Sequence, residues 1–186
     1  RTGKQIMGRS KSKKRVKIVE SIASAISSKK IFDVIDYRNR NEDYIKQYMH
    51  QPLINELEAL YEDLELSKSA DKELVKEKAK NCLLWEGDVN TTVNNFTFFG
   101  TQHRPDFVVK IDKLKVAVEV KKGESGSSLR EGIGQSLVYA SAFDFVVYLY
   151  VDISKDKKIR DAKNGTHEQA LIDELWEDHN VLFEVV

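Results

Sequence analysis

The chain has 186 residues with 30 basic and 30 acidic side chains, so its formal net charge is zero and no overall basic field draws it to nucleic acid. A composition of 41% apolar and 32% charged residues is that of an ordinary globular protein with one good-sized core. No apolar run reaches the ~20 residues of a membrane span, and the lone cysteine, Cys82, excludes an intramolecular disulfide and a cysteine-rich metal site. With no secretory leader, that cysteine usage points to an intracellular protein, cytoplasmic or nuclear/nucleoid, without a membrane partner. A start at Arg1 rather than Met reads as a fragment.

Residues 1–17 carry eight Lys/Arg and no acid, a basic arm suited to phosphates or to plain solvation. Val16, Val19, Ile22, Ala23 and Ile26 have helical spacing. A second helix is expected over 31–49, interrupted near 38–41. A third follows Pro52, with Leu53, Leu57, Leu60, Tyr61 and Leu64 on one face and acids on the other. A break near 68–71 separates a helical N-terminal region, 1–67, from the rest, 68–186. The next helix is expected over 71–85, stopped by Gly87.

After Gly87 the texture becomes that of strands, over 91–99, 106–111 and 115–121, the last two joined by a tight turn at Asp112-Lys113. Ser128 and Glu131 have capping-box spacing and open a helix to about 142, with Ile133, Leu137 and Ala140 toward the sheet. Residues 145–151 are almost all β-branched or aromatic, as in a strand buried on both faces. A helix over 167–179 and a strand over 181–186 complete a mixed α/β sheet flanked by helices, with antiparallel strands first and a β-α-β unit later.

The chemistry concentrates in Arg104-Pro105-Asp106 and in Glu119-Val120-Lys121, within an otherwise apolar strand. Side chains alternate along a strand, so Glu119 and Lys121 share a face. A two-residue turn at Asp112-Lys113 sets Ile111 against Leu114 and Asp106 against Glu119. Like charges paired across strands are destabilising unless a hard cation lies between them, and oxygen ligands suit magnesium and manganese. Lys121 could then orient a water or stabilise charge on a phosphate. Exposed surface ion pairs are the alternative reading of each residue taken singly.

Pro105-Asp106 with Glu119-Val120-Lys121 resembles the signature of the PD-(D/E)xK nuclease superfamily, of restriction-endonuclease-like fold. The resemblance implies a metal-dependent nuclease in which Asp106 and Glu119 bind Mg2+ or Mn2+. It also implies that the Val120 carbonyl adds a ligand and that Lys121 serves the attacking water. Gln135 and Tyr139 share a helix face and resemble the Gln-x-x-x-Tyr pair of RecB-type and Cas4-type nucleases, implying a substrate-binding role. The cysteines of the Cas4 cluster are missing. The implied partner is nucleic acid, DNA first with RNA left open, and the N-terminal region is a possible docking surface for a protein or a further domain.

Many members of that superfamily carry another acid on the first core helix. Asp71, Glu73, Glu77 and Glu86 are the candidates here, and periodicity favours Asp71. His103, Arg104, Lys122, Arg130 and the serines Ser127 and Ser128 border the proposed site. The competing reading is an inactive nuclease-fold module for nucleic-acid binding or subunit docking.

Overall fold

The computed structural model describes residues 11–64, 71–88 and 93–186. The basic arm over 1–10, most of the expected break at 68–71 and the start of the expected strand at 91–92 lie outside them. In chain order come α1 (Lys13–Ile26), α2 (Lys29–Phe32), α3 (Glu42–Asp63), α4 (Lys72–Cys82), β1 (Leu83–Trp85), β2 (Phe96–Phe98) and β3 (Thr101–His103). They are followed by β4 (Phe107–Ile111), β5 (Leu114–Gly123), α5 (Gly126–Ala140), β6 (Phe145–Asp152), α6 (Lys158–Ala162), α7 (Thr166–His179) and β7 (Val181–Val185).

The strands form a mixed five-stranded sheet in the order β1-β4-β5-β6-β7. β1 and β5 each pair antiparallel with β4, whereas β5-β6 and β6-β7 are parallel. Every residue of β6 is buried, as its apolar run requires of a strand covered on both faces. One face of the sheet, with Val109, Val116, Val118, Val147 and Leu149, joins a single core with Val19, Ile22, Met49, Leu53 and Leu57 of α1 and α3. The other face, with Ala117, Val146, Tyr148 and Tyr150, packs with Tyr139 of α5 and Leu175 of α7. Among the described residues no helix is long and apolar enough to cross a membrane.

Four local expectations are corrected. First, α3 runs unbroken through Pro52. Its buried stripe of Ile45, Met49, Leu53, Leu57 and Leu60 continues across the proline, and packing of that stripe offsets the lost backbone bond, a cost of ~3 kcal/mol. Second, the helix expected to reach Trp85 ends at Cys82, because Leu83–Trp85 pair with Val109–Phe107. Short apolar runs of this kind fit helix and strand equally well by periodicity. Third, among the described residues of the strand expected over 91–99, Phe96–Phe98 pair with Thr101–His103 as a hairpin outside the main sheet.

The fourth correction concerns α5. Its N-cap is Ser125, whose hydroxyl accepts from the Ser128 N–H, so Ser128 and Glu131 form no capping box. The residues it buries are Gly132, Ser136 and Tyr139; Ile133 and Ala140 pack at the margin and Leu137 is 38% exposed. The tyrosine hydroxyls of β6 set this face. A Cβ on Gly132 would fall 2.2 Å from the Tyr148 hydroxyl oxygen, so only glycine fits beneath that ring.

Candidate active site

The turn between β4 and β5 has two residues, with Ile111 opposite Leu114 and Asp112 at φ 53°. Phe107 is paired with Val118, and one step further this register sets Asp106 opposite Glu119. Pro105 leads directly into β4, while Glu119 and Lys121 stand on the C-terminal half of β5. Both carboxylates are inside the protein, Asp106 at 7% and Glu119 at 4% exposure.

Each carboxylate oxygen of Asp106 has a partner. Its Oδ2 accepts from the Val120 N–H at 2.8 Å, and its Oδ1 accepts from Lys46 Nζ at 2.7 Å. Lys46 comes from α3, where it also meets Glu86 Oε1 at 3.3 Å and Asp43 Oδ1 at 3.1 Å. Burial pushes the Lys46 pKa down, but the Asp106 charge and the hydrogen bonds more than offset it, and the ammonium is held above its ordinary value. Burial raises the Asp106 carboxyl against the opposing pull of Lys46 and the Val120 N–H.

Glu119 is less well served. Its Oε1 lies 3.6 Å from Lys121 Nζ, and its Oε2 is buried without a hydrogen-bond partner. Burial first, then the Asp106 charge, pushes its pKa up to about 8, with Lys121 and Lys46 opposing. Burial therefore favours the protonated form of Glu119. Gln135 Oε1 is also buried and unpartnered; among the described residues, it and Glu119 Oε2 are the two such side-chain atoms.

Tyr139 is buried, and its hydroxyl donates to the Arg104 carbonyl at 3.0 Å. Burial and the Glu119 and Asp106 charges raise that hydroxyl above its ordinary value. Through that bond Tyr139 holds the Arg104-Pro105-Asp106 segment in place. Gln135 is half-buried and Glu131 is exposed, so the three side chains do not form one open face.

Of the four further acids, Glu86 is the one at the site. Its N–H donates to the Asp106 carbonyl, its Oε1 meets Lys46, and its Oε2 accepts from Arg104 Nε at 3.0 Å. Asp71, which periodicity favours, instead caps α4 by accepting from the Glu73 N–H, and Glu73 pairs with Lys76. Asp71, Glu73 and Glu77 line a separate cleft with His50. The reason is again β1: ending α4 at Cys82 leaves Glu86 just past a strand, beside Asp106.

Lys122 is committed to the fold. Its Nζ donates to the Arg38 carbonyl at 2.7 Å and also to that of Arg40, and its N–H donates to Glu42 Oε2 at 2.6 Å. His103 packs against Phe96, ring centroids 5.6 Å apart. Ser128 Oγ lies 2.8 Å from the Tyr150 hydroxyl, and Arg130 is exposed. Sequence reasoning missed Lys46 and Glu42. A signal for Lys46 was present: it precedes Met49 by three residues and Leu53 by seven, so it occupies a position on the buried stripe of α3.

Among the described residues no three His, Cys, Asp or Glu side chains are grouped to hold a metal ion. Two carboxylates side by side, one with an unpartnered buried oxygen, still suit magnesium, which is held by one or two carboxylates and completes its shell with water and phosphate. What the arrangement provides is a desolvated pair of carboxyl groups, an ammonium beside each of them in Lys46 and Lys121, and a tyrosine that fixes the loop carrying one of the acids. Compared with protein-family models, curated proteins and solved structures, the chain matches none.

Proposed function

We propose that this chain is a metal-dependent nuclease of restriction-endonuclease-like fold that hydrolyses phosphodiester bonds in DNA. The observation that carries the reading is the coincidence of Glu119 Oε2 and Gln135 Oε1. These two buried, unpartnered oxygens belong to residues assigned to a nuclease site from sequence resemblance alone. Buried polar atoms are nearly always paired, so an unpartnered oxygen on each of these residues is the kind of group that a ligand would satisfy. The order of the four strands β1-β4-β5-β6, with α5 crossing between β5 and β6, suits the same fold.

Asp106 and Glu119 would hold Mg2+ or Mn2+, with the Val120 carbonyl as a backbone contribution. When bound, such an ion polarises a phosphoryl oxygen and lowers the pKa of a coordinated water. Lys121, part-exposed beside Glu119, orients a water and stabilises negative charge on phosphate. Lys46 holds Asp106 from the opposite side, the Val120 N–H fixes its second oxygen, and Tyr139 fixes the Arg104 carbonyl two residues before it. Gln135 offers an amide on the α5 side.

The test is cleavage of supercoiled plasmid, linear duplex and single-stranded DNA with magnesium or manganese, beside Asp106→Ala and Lys121→Ala. Metal-dependent cleavage lost in both variants supports the reading; cleavage that survives both overturns the assignment. One observation favours a second reading, an inactive nucleic-acid-binding or docking module: Lys46 already neutralises Asp106 from within the chain. That module would show no manganese-dependent thermal stabilisation, whereas the nuclease would show one that disappears in Asp106→Ala.

A further inference from the structure

The hairpin of β2 and β3 ends in Phe99-Gly100, a two-residue turn with both residues at positive φ, 48° and 73°. Turns of this hand are the province of Asn, Asp and Gly, and a bulky aromatic in that region is an outlier. The Phe99 ring is 92% exposed. It touches the protein mainly through Phe98, edge-on at a centroid distance of 4.8 Å. Folding accounts for neither the residue nor its position, since the backbone is strained and almost no apolar surface is buried. Strain retained without a folding benefit is characteristic of functional positions.

The base of the hairpin is tied to the candidate site. Phe96 packs on Tyr139, Phe143 and His103 at centroid distances of 5.9, 6.0 and 5.6 Å. His103 leads straight into Arg104, which bonds to Tyr139 through its carbonyl and to Glu86 through its guanidinium. Phe99 precedes Asp106 by seven residues, so the two Cα atoms lie within ~25 Å even on an extended chain. An aromatic face stacks on a base of any identity, and such platforms recur where single strands are held.

We propose that Phe99 is a stacking residue that captures an unpaired base of the substrate, so that the chain prefers single-stranded or unstacked DNA over intact duplex. This rests on the nuclease reading for its substrate class and extends it to substrate structure.

The experiment measures binding of labelled oligothymidylate and of a blunt, hairpin-closed duplex to the full chain in EDTA, for wild type, Phe99→Ala, Phe99→Asn and Phe99→Trp. Loss of one stacked base weakens single-strand binding by about 5- to 150-fold in Phe99→Ala, while Phe99→Trp retains it. Phe99→Asn should bind as poorly as Phe99→Ala yet unfold at an equal or higher temperature, because asparagine suits the turn. That separation of binding from stability is one that a structural role does not give. The proposal is overturned by equal single-strand affinity of Phe99→Ala and wild type, or by an equal loss on the closed duplex. Phe99-dependent self-association without a change in oligonucleotide affinity would overturn it in favour of a second copy as the occupant. Metal-dependent cleavage with no effect of Phe99 sinks the stacking role alone. Phe99-dependent single-strand binding without any cleavage keeps it and sinks the nuclease reading, and no oligonucleotide binding at all sinks both.

Discussion

Glu119→Gln should make the metal-free protein more stable at alkaline pH and leave it nearly unchanged in acid. The Glu119 carboxyl has a folded pKa of about 8, against an ordinary 4.5, through burial and the neighbouring Asp106 charge. Between those values the folded state holds a proton that the unfolded chain has released, so stability falls as pH rises through that window. At ~1.4 kcal/mol per pH unit, the full window amounts to on the order of 5 kcal/mol. Glutamine has nearly the same shape and no proton to lose, so the difference between the two proteins reports Glu119 together with its coupling to Asp106. Urea unfolding in chelator should give curves within ~1 kcal/mol of each other at about pH 5 and a variant more stable by ~2–5 kcal/mol at about pH 9. Manganese added at the higher pH should raise the wild type and shift the variant little. Parallel pH profiles, or a wild type that gains on the variant as pH rises, would refute the idea of an uncompensated buried carboxylate.

Lys46→Met removes the ammonium 2.7 Å from Asp106 and leaves a buried charge unpaired, a loss of ~3–5 kcal/mol or ~6–20 °C in Tm for a chain of this size. Adding Asp106→Asn should recover more than half of it, as read from a double-mutant cycle of denaturant unfolding. Asp152 is fully buried, and its oxygens accept from the N–H and hydroxyl of Ser154 and from the N–H groups of Ile159 and Arg160. Asp152→Ala should therefore cost ~2–4 kcal/mol. Burial pushes this carboxyl up, but the hydrogen bonds win and hold it below 3.8. Its contribution is thus complete above about pH 4 and lost as pH falls through the depressed value, so wild type and variant should converge in an acid titration. A chain trimmed to residues 68–186 should show no cooperative thermal transition. It lacks Ile22, Ile26, Ile45, Met49, Leu53 and Leu57, all fully buried against or near the sheet, and at ~1.5–3 kcal/mol each they match a whole domain's stability of ~5–15 kcal/mol.

The register that brings the two carboxylates together was legible because it depends on two short-range signals. Val116, Val118 and Val120 mark one apolar face of β5 and leave Glu119 and Lys121 on the other, and the two-residue turn fixes the pairing. The run of β6 was legible for a similar reason: β-branched and aromatic residues without interruption suit one environment. What escaped depends on contacts distant in sequence. Leu83–Trp85 become a strand only because Phe107–Val109 offer a free edge, and that assignment moves Glu86 beside Asp106. The buried face of α5 was misread because hydrophobicity pointed to Leu137, whereas the tyrosines of β6 demand small residues opposite them. Pro52 looked like a boundary, yet the buried stripe on either side of it has one phase.

The same long-range dependence explains Lys46. Asp106 and Glu119 are opposite each other in the register, and desolvation makes that arrangement unfavourable in a metal-free fold. The chain must therefore supply its own neutralising charges. It supplies one as an ammonium, from a helix sixty residues before Asp106, and burial favours a proton on Glu119 as the other. Under the nuclease reading, an external cation at this position would compete with both, and Lys46 would share Asp106 with it or move toward Glu86 and Asp43, which already lie within 3.3 Å of the ammonium. On that reading those two acids would serve by giving Lys46 somewhere to go. Glu86 thus belongs to the site as the partner of its resident cation, and the α3 helix contributes to the charge balance of the acids that the hairpin carries.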